Sequence, residues 1–163
     1  MSRLAVSLAN ERLDSSPDLR RWLELVGTDP ASTEEVSLRL PEFVALRSGL
    51  RETFHASIDG EPYPADAVER LNELSERVPR VLRFEPPTLV DVPRPGSTTS
   101  LVLARIAWSA FELIGGEDRE RLRSCSACGR FFVASRSDRR WCSSACGNRT
   151  RVARYQARRR ATG

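Results

Sequence analysis

The chain contains no lysine, and all 26 of its basic residues are arginine. A GC-rich genome favours arginine codons, so the missing lysine does not by itself indicate nucleic-acid recognition. Its absence does exclude a phosphate-binding loop of the Walker type, because that loop needs a lysine beside its glycines. The glycine pair Gly115-Gly116 lacks the flanking glycine pattern as well.

Long hydrophobic runs are also absent. No segment approaches the roughly 18 consecutive apolar residues of a transmembrane helix. The N-terminal segment soon reaches Asn10, Glu11 and Arg12, so it is too polar for a signal peptide. We therefore expect a cytoplasmic protein without a membrane partner.

Residues that carry chemistry are scarce before residue 120. His55 is the only histidine, and no cysteine or acidic motif surrounds it, so an ordinary histidine is the simpler interpretation. No nucleophile elbow and no paired-acid signature is present. We predict that the protein is not an enzyme. A pocket with converging ionisable groups of perturbed pKa in the N-terminal domain would revive that alternative.

All four cysteines lie between residues 125 and 146, as Cys125-x-x-Cys128, thirteen residues, then Cys142-x-x-x-Cys146. Disulfides are disfavoured in the cytosol, so such a cluster predicts a metal site. Structural zinc takes four tetrahedral ligands, and this set leaves no position open for water or substrate. The sequence therefore predicts one structural zinc ion. Unligated thiols or a redox pair are the alternative, and spacing alone leaves an iron–sulfur cluster open.

The segment around the cysteines predicts a treble-clef-like module. Gly129 suits a tight knuckle after Cys128, 131–133 is typical of a short strand, and the second cysteine pair fits the first turn of a helix capped by Ser143 or Ser144. We expect a miniature core of three aromatic residues, Phe131, Phe132 and Trp141. Because so short a segment buries little apolar area, zinc should supply much of its folding free energy.

Charge divides the chain into two parts. Residues 1–120 hold 14 arginines and 21 acidic residues, a formal charge of −7, whereas residues 121–163 hold 12 arginines and one acid, a charge of +11. Four thiolates and one Zn²⁺ would leave the second part at about +9. With Gly115-Gly116 as the boundary, we predict two domains, residues 1–116 and residues 117–163, with different partners.

The C-terminal helix is dense in arginine, and the arginines at 151, 154 and 158 share one face. Arginines neutralise phosphates and read guanine edges in the major groove, so we predict a nucleic-acid-binding surface. The candidate contacts are Arg151, Arg154 and Arg158 first, followed by Arg139, Arg140 and Arg149. The alternative is that these arginines bind an acidic protein surface in the same chain or in a partner.

Apolar periodicity predicts that residues 1–116 are mainly helical. Helices are expected after Ser16, from Pro41 to Ser57, from Ala65 to Arg77 and from Ser100 to Ile114, with a small β-hairpin over residues 81–92. The predicted fold is mainly α with this hairpin, plus the C-terminal zinc module.

The zinc segment resembles the CGNR zinc-finger family. The resemblance rests on Cys125-x-x-Cys128-Gly129, on Arg139-Arg140-Trp141-Cys142-Ser143, and on the run Cys146-Gly147-Asn148-Arg149. It implies that the four cysteines are the ligands. It assigns no role to Asn148 and Arg149: the former could bond the knuckle backbone, and the latter could face phosphate or the interior.

The N-terminal part resembles the ABATE domain, the usual partner of that finger, through residues 4–10 (LAVSLAN), 13–15 (LDS) and 19–23 (LRRWL). Together the resemblances imply a bacterial, stress-linked transcription regulator whose zinc module binds DNA. The function we predict is a zinc-binding, DNA-binding transcription regulator whose N-terminal domain senses a small-molecule effector or forms a homodimer. The alternative is a zinc-stabilised protein-interaction module whose basic helix binds an acidic protein surface.

Overall fold

The computed structural model describes residues 3–28, 32–92 and 96–161, the side chains of Asp91 and Ala161 excepted. It contains six α-helices, one 3₁₀ turn and two separate antiparallel hairpins within those residues. In chain order these are α1 (Leu4–Ala9), α2 (Ser16–Leu25), α3 (Thr33–Asp59), α4 (Ala65–Arg77), β1 (Val81–Glu85), β2 (Thr88–Val92), α5 (Thr98–Ile114), the 3₁₀ turn (Glu117–Arg121), β3 (Leu122–Ser124), β4 (Phe131–Val133) and α6 (Ser144–Ala161). The predicted fold class is confirmed.

Helix α3 is eight residues longer at its N-terminus than the sequence predicted, and it runs through Pro41. The prediction began the helix at about this proline, just before the apolar stripe that starts at Phe43. Instead Ser32 caps the helix by accepting a hydrogen bond from the amide of Glu35 at 3.0 Å. A proline in the ninth position costs one backbone hydrogen bond, the one to the carbonyl of Ser37. That residue is exposed, so water can satisfy its carbonyl.

The core of the helical body lies between α3 and α5, with α1, α2 and α4 packed around them. The apolar stripe predicted for α3 is buried, namely Phe43, Leu46, Leu50 and Phe54. Helix α5 is apolar on several faces and buries nine of its residues, as expected for a central helix. No helix in the described ranges is long and apolar enough to cross a membrane.

The zinc-bearing segment shares this core, which the sequence did not predict. Phe131 on β4 is 2% exposed, and its ring makes edge contacts with Phe54 at 5.4 Å and His55 at 4.9 Å. Leu122 on β3 joins the same cluster. Successive residues of a strand point to opposite faces, so Phe132 faces the cysteines instead. The expected miniature core therefore contains Phe132 and Trp141, and the placement of Phe131 in it was wrong.

Asn10 fastens the two parts together. Its side-chain amide donates to the carbonyl of Phe131 at 2.8 Å, and its side-chain carbonyl accepts from the amide of the same residue at 2.7 Å. Arg51 adds to this junction, because it donates to the carbonyl of Ala9 at 2.9 Å and lies over the Phe131 ring at 5.3 Å. Phe131 is thus anchored to the end of α1 and to α3 through side chains far away in sequence.

Replacing Asn10 with alanine should lower the free energy of unfolding by about 1–3 kcal/mol, because both backbone groups of Phe131 lose their partner in a part-buried position. Urea denaturation of the zinc-loaded protein measures this change. The matched control is Asn72→Ala on α4, whose side chain is exposed and whose removal should change stability by less than about 0.5 kcal/mol. Equal effects of the two substitutions would contradict the anchoring role of Asn10.

Candidate metal centre and nucleic-acid interface

The first cysteine pair lies in a tight knuckle that follows β3. The amide of Gly129 donates to the carbonyl of Cys125 at 2.8 Å, and the amide of Cys125 donates to the carbonyl of Arg130 at 2.8 Å. Gly129 has φ +69°, in the left-handed region that residues with a side chain rarely adopt. The glycine predicted to close the knuckle is therefore required by its backbone conformation.

The second pair is held by the start of α6. Cys142 lies two residues before this helix, so the prediction that both cysteines share its first turn was wrong for Cys142 and correct for Cys146. The hydroxyl of Ser143 accepts from the amide of Cys146 at 3.3 Å, which makes Ser143, of the two serines considered, the cap.

The four sulfurs form one compact cluster, with all Sγ atoms within 4.8 Å of one another. The Cys128–Cys142, Cys142–Cys146 and Cys128–Cys146 separations are 3.6, 3.7 and 3.8 Å. A tetrahedron with zinc–sulfur bonds of about 2.3 Å has edges of about 3.8 Å. The donor set and its spacing therefore fit a structural zinc ion with four thiolate ligands, and the four cysteines form a zinc-binding site.

The environment of the sulfurs shifts the pKa values of two of the cysteines in opposite directions. Burial raises the pKa of Cys142, and hydrogen bonds to the other three sulfurs raise it further, to about 12. Burial acts against ionisation of Cys125 as well, but backbone amides of the knuckle and of Cys142 lower its pKa to about 6. A bound cation stabilises the thiolate form of its ligands, so zinc would offset the raised pKa of Cys142.

The CGNR signature has a packing explanation at Gly147. A Cβ atom at this position would lie 3.3 Å from the Trp141 ring, so the absence of a side chain lets α6 rest against that ring. Asn148 does not bond the knuckle as considered from sequence; its side-chain oxygen accepts from the guanidinium of Arg151 at 2.7 Å. Arg149 is exposed and faces outward.

Arg139 differs from the other candidate contacts. Its guanidinium donates to the carbonyls of Trp141 at 3.0 Å and Cys142 at 2.7 Å, and it lies 5.5 Å from the centre of the Phe132 ring. These hydrogen bonds fix the backbone of the loop that leads to Cys142. Arg139 therefore stabilises the loop that delivers a zinc ligand, whereas its contact with nucleic acid stays a prediction.

The distal part of α6 projects away from the body. Every residue from Arg151 to Arg160 is exposed, and six arginines and no acidic residue occur along the helix. Arg151, Arg154 and Arg158 lie on one face, as their spacing predicted, while Arg149 lies on the opposite one. Arg140 belongs to the loop before Cys142 and is also exposed. Among the residues that the structure describes, α6 from Arg151 onward is not buried against the acidic body.

Sequence reasoning missed Asn10 and Phe131 as residues that position the site. Asn10 was noted as a polar residue near the N-terminus and as the last residue of a motif, and nothing in its local pattern indicates a partner 121 positions away. His55, the only histidine, is exposed and packs against Phe131, away from the sulfurs.

Two family models match the chain. The ABATE model, described as "Putative stress-induced transcription regulator", covers residues 2–117. The CGNR zinc-finger model covers residues 121–159. Both resemblances noted in the sequence are confirmed by these matches. No curated protein matches the chain.

Removing zinc with a chelator should unfold the segment from Leu122 to Cys146 and also lower the melting temperature of the helical body, because Leu122 and Phe131 belong to the body's core. Circular dichroism and Trp fluorescence follow both changes, and zinc should restore the signals at one ion per chain.

Cys142→Ser should reproduce the chelated state even with zinc present, whereas Ser126→Ala, in the knuckle between two ligands, should bind zinc as the parent does. A helical body with the same melting temperature with and without zinc would show that the two parts fold independently.

Proposed function

The chain belongs to the ABATE family and carries a CGNR zinc finger, and from that premise we propose that it is a transcription regulator that binds duplex DNA through α6. The observation that carries the proposal is the exposed, uniformly basic helix anchored at one end by the zinc site. A surface of clustered arginines neutralises phosphates and releases counterions, which supplies most of the non-specific affinity for DNA.

The dimensions of α6 suit the major groove of B-DNA. Its 18 residues span about 27 Å at 1.5 Å per residue, and the groove, about 12 Å wide, admits an α-helix. Because Cys146 and Gly147 fix the first turn against the zinc site and Trp141, the helix keeps its direction as it leaves the module. A fixed direction lowers the entropy lost on binding.

The arginines divide into groups by position. Arg151, Arg154 and Arg158 face the same side and are the leading contacts. Arg149 lies on the other side of the helix, where it can reach the opposite wall of the groove, and Arg140 extends the basic surface beside the first turn. We assign Arg139 a supporting role, because its guanidinium already bonds two backbone carbonyls.

The helical body supports this orientation by its charge. Residues 1–120, with a formal charge of −7, repel the DNA backbone, while the basic segment attracts it, so the molecule approaches DNA with α6 first. In this proposal the regulator acts in the bacterial cytoplasm, and the body senses an effector or joins two copies; the effector stays a prediction.

Replacing Arg151, Arg154 and Arg158 together with alanine should weaken binding to duplex DNA and flatten its salt dependence. The slope of log K against log salt should change by about 3 units, since each phosphate that an arginine neutralises contributes about 0.9 to it. Fluorescence anisotropy with random duplex DNA at about 50 to 200 mM salt measures both quantities.

The matched control replaces Arg12, Arg21 and Arg70 of the helical body, three exposed arginines, with alanine. This variant has the same net charge as the first and should bind DNA with the parent's slope to within about one unit, since none of the three contacts DNA. Unchanged binding by the α6 variant would refute the proposal. No binding by the parent at the lower salt would favour the alternative, a basic helix that binds an acidic protein surface.

A further inference from the structure

The hairpin of β1 and β2 is an exposed apolar arm. All residues from Leu82 to Val90 are exposed, and among them Phe84 is 64%, Leu89 65% and Leu82 46% accessible. Folded proteins rarely leave a strand with this composition uncovered, because its free edge and apolar side chains invite pairing. A surface of this kind predicts a partner.

The register of the hairpin places its three most exposed apolar side chains on one face and Val90 on the other. Phe84 is directly opposite Leu89, and Arg83 is opposite Val90. Directly opposed residues of an antiparallel pair point to the same side, so Leu82, Phe84 and Leu89 form one apolar face. Arg83 and Glu85 lie together on the other face.

The outer edge of β1 is open. Among the described residues the hairpin forms a sheet of two strands only, and no third strand pairs with it. Glu85 and Thr88 flank the two-residue turn, and such a pair exchanges backbone hydrogen bonds. By alternation along the ladder, Leu82 and Phe84 direct their amide and carbonyl groups away from β2, toward the open edge.

We propose that β1 pairs antiparallel with β1 of a second copy of this chain, with Phe84 on the twofold axis. In this register the two copies of Phe84 are directly opposite, and Arg83 of each copy is opposite Glu85 of the other. The four strands then form one sheet. The apolar face continues across it as Leu89, Phe84, Phe84 and Leu89, and the opposite face gains two interchain ion pairs.

The charged residues of the hairpin favour pairing through β1 in this register over pairing through β2. Within one copy, the guanidinium of Arg83 and the carboxylate of Glu85 are 4.0 Å apart, and both side chains are well exposed. Each charged group is therefore accessible to a second copy. Self-pairing of β2 about Val90 would instead place Leu89 opposite Asp91, with no complementary charge. Only three residues of each β1, from Arg83 to Glu85, are opposite one another in this register, whereas a stable interface buries about 800 Å² per partner. The dimer should therefore be weak, with a dissociation constant on the order of 10 µM.

The inference deepens the joining of two copies that the proposed function includes, and its test uses no DNA, so it can fail while DNA binding holds. Sedimentation velocity of the zinc-loaded full chain, from about 2 to 200 µM, should show a reversible monomer–dimer equilibrium. Arg83→Glu alone and Glu85→Arg alone should each raise the dissociation constant at least tenfold, because each places like charges opposite one another. An equimolar mixture of R83E and E85R should form the dimer again, since every cross-strand pair then has opposite charges.

The matched control is Arg70→Glu on α4, which makes the same charge change at an exposed position of the body and should leave the dissociation constant within about twofold of the parent's. Circular dichroism and zinc content confirm that each variant is folded. A parent that stays monomeric at the highest concentration would overturn the proposal. So would a dimer that tolerates both single substitutions, or a mixture of the two variants that remains monomeric.

Discussion

Two hydrogen bonds between the side chain of Asn10 and the backbone of Phe131 join the zinc module to the helical body. These bonds fix the position of β4, whose two adjacent phenylalanines point to opposite faces of the strand. Phe131 enters the core beside Phe54, whereas Phe132 packs against the cysteines. We therefore expect zinc binding to stabilise the helical core as well as the zinc module, because the three-residue strand β4 contacts both. The start of α6 packs against the same strand, because Cys146 and Phe132 belong to one buried cluster.

Much of the fold followed from patterns that act over short distances. The bounds of α4 matched the prediction because its apolar spacing and flanking residues are local signals. The four cysteines identified the metal site because zinc coordination requires few residues at characteristic spacings. Two adjacent phenylalanines, in contrast, gave no indication of which would face which core. Which phenylalanine enters the helical core depends on the side chains of α3 that it packs against. The residue pattern of β4 carries no information about those side chains.

The start of α3 shows a different limit. The run Ser32-Thr-Glu-Glu35 has the capping-box pattern, and its serine does cap the helix. The apolar stripe used for the prediction begins only at Phe43, so it indicated a later start. The helix continues through Pro41 because one missing hydrogen bond at an exposed turn costs less than the packing of the whole helix contributes. Glu35 also serves the tertiary structure, because it accepts a hydrogen bond from the buried Thr99 of α5 at 2.6 Å, which lowers its pKa.

The unequal distribution of charge gives the molecule two distinct surfaces. One end carries the arginines of α6 on a scaffold held by metal, and the body carries the excess of acid together with an apolar hairpin arm. If two copies join through the arm, each dimer presents two basic helices. A single helix of this kind reads few base pairs, and two related by a twofold axis would match a symmetric DNA site.

Amide hydrogen exchange of the zinc-loaded protein, with and without duplex DNA, tests the central claim most directly because it locates the contact surface without any substitution. The account predicts that DNA slows exchange along α6, most strongly from Arg149 to Arg160, and leaves α2 to α4 unchanged. Slower exchange confined to the helical body, with α6 exchanging as fast as in the free protein, would contradict it.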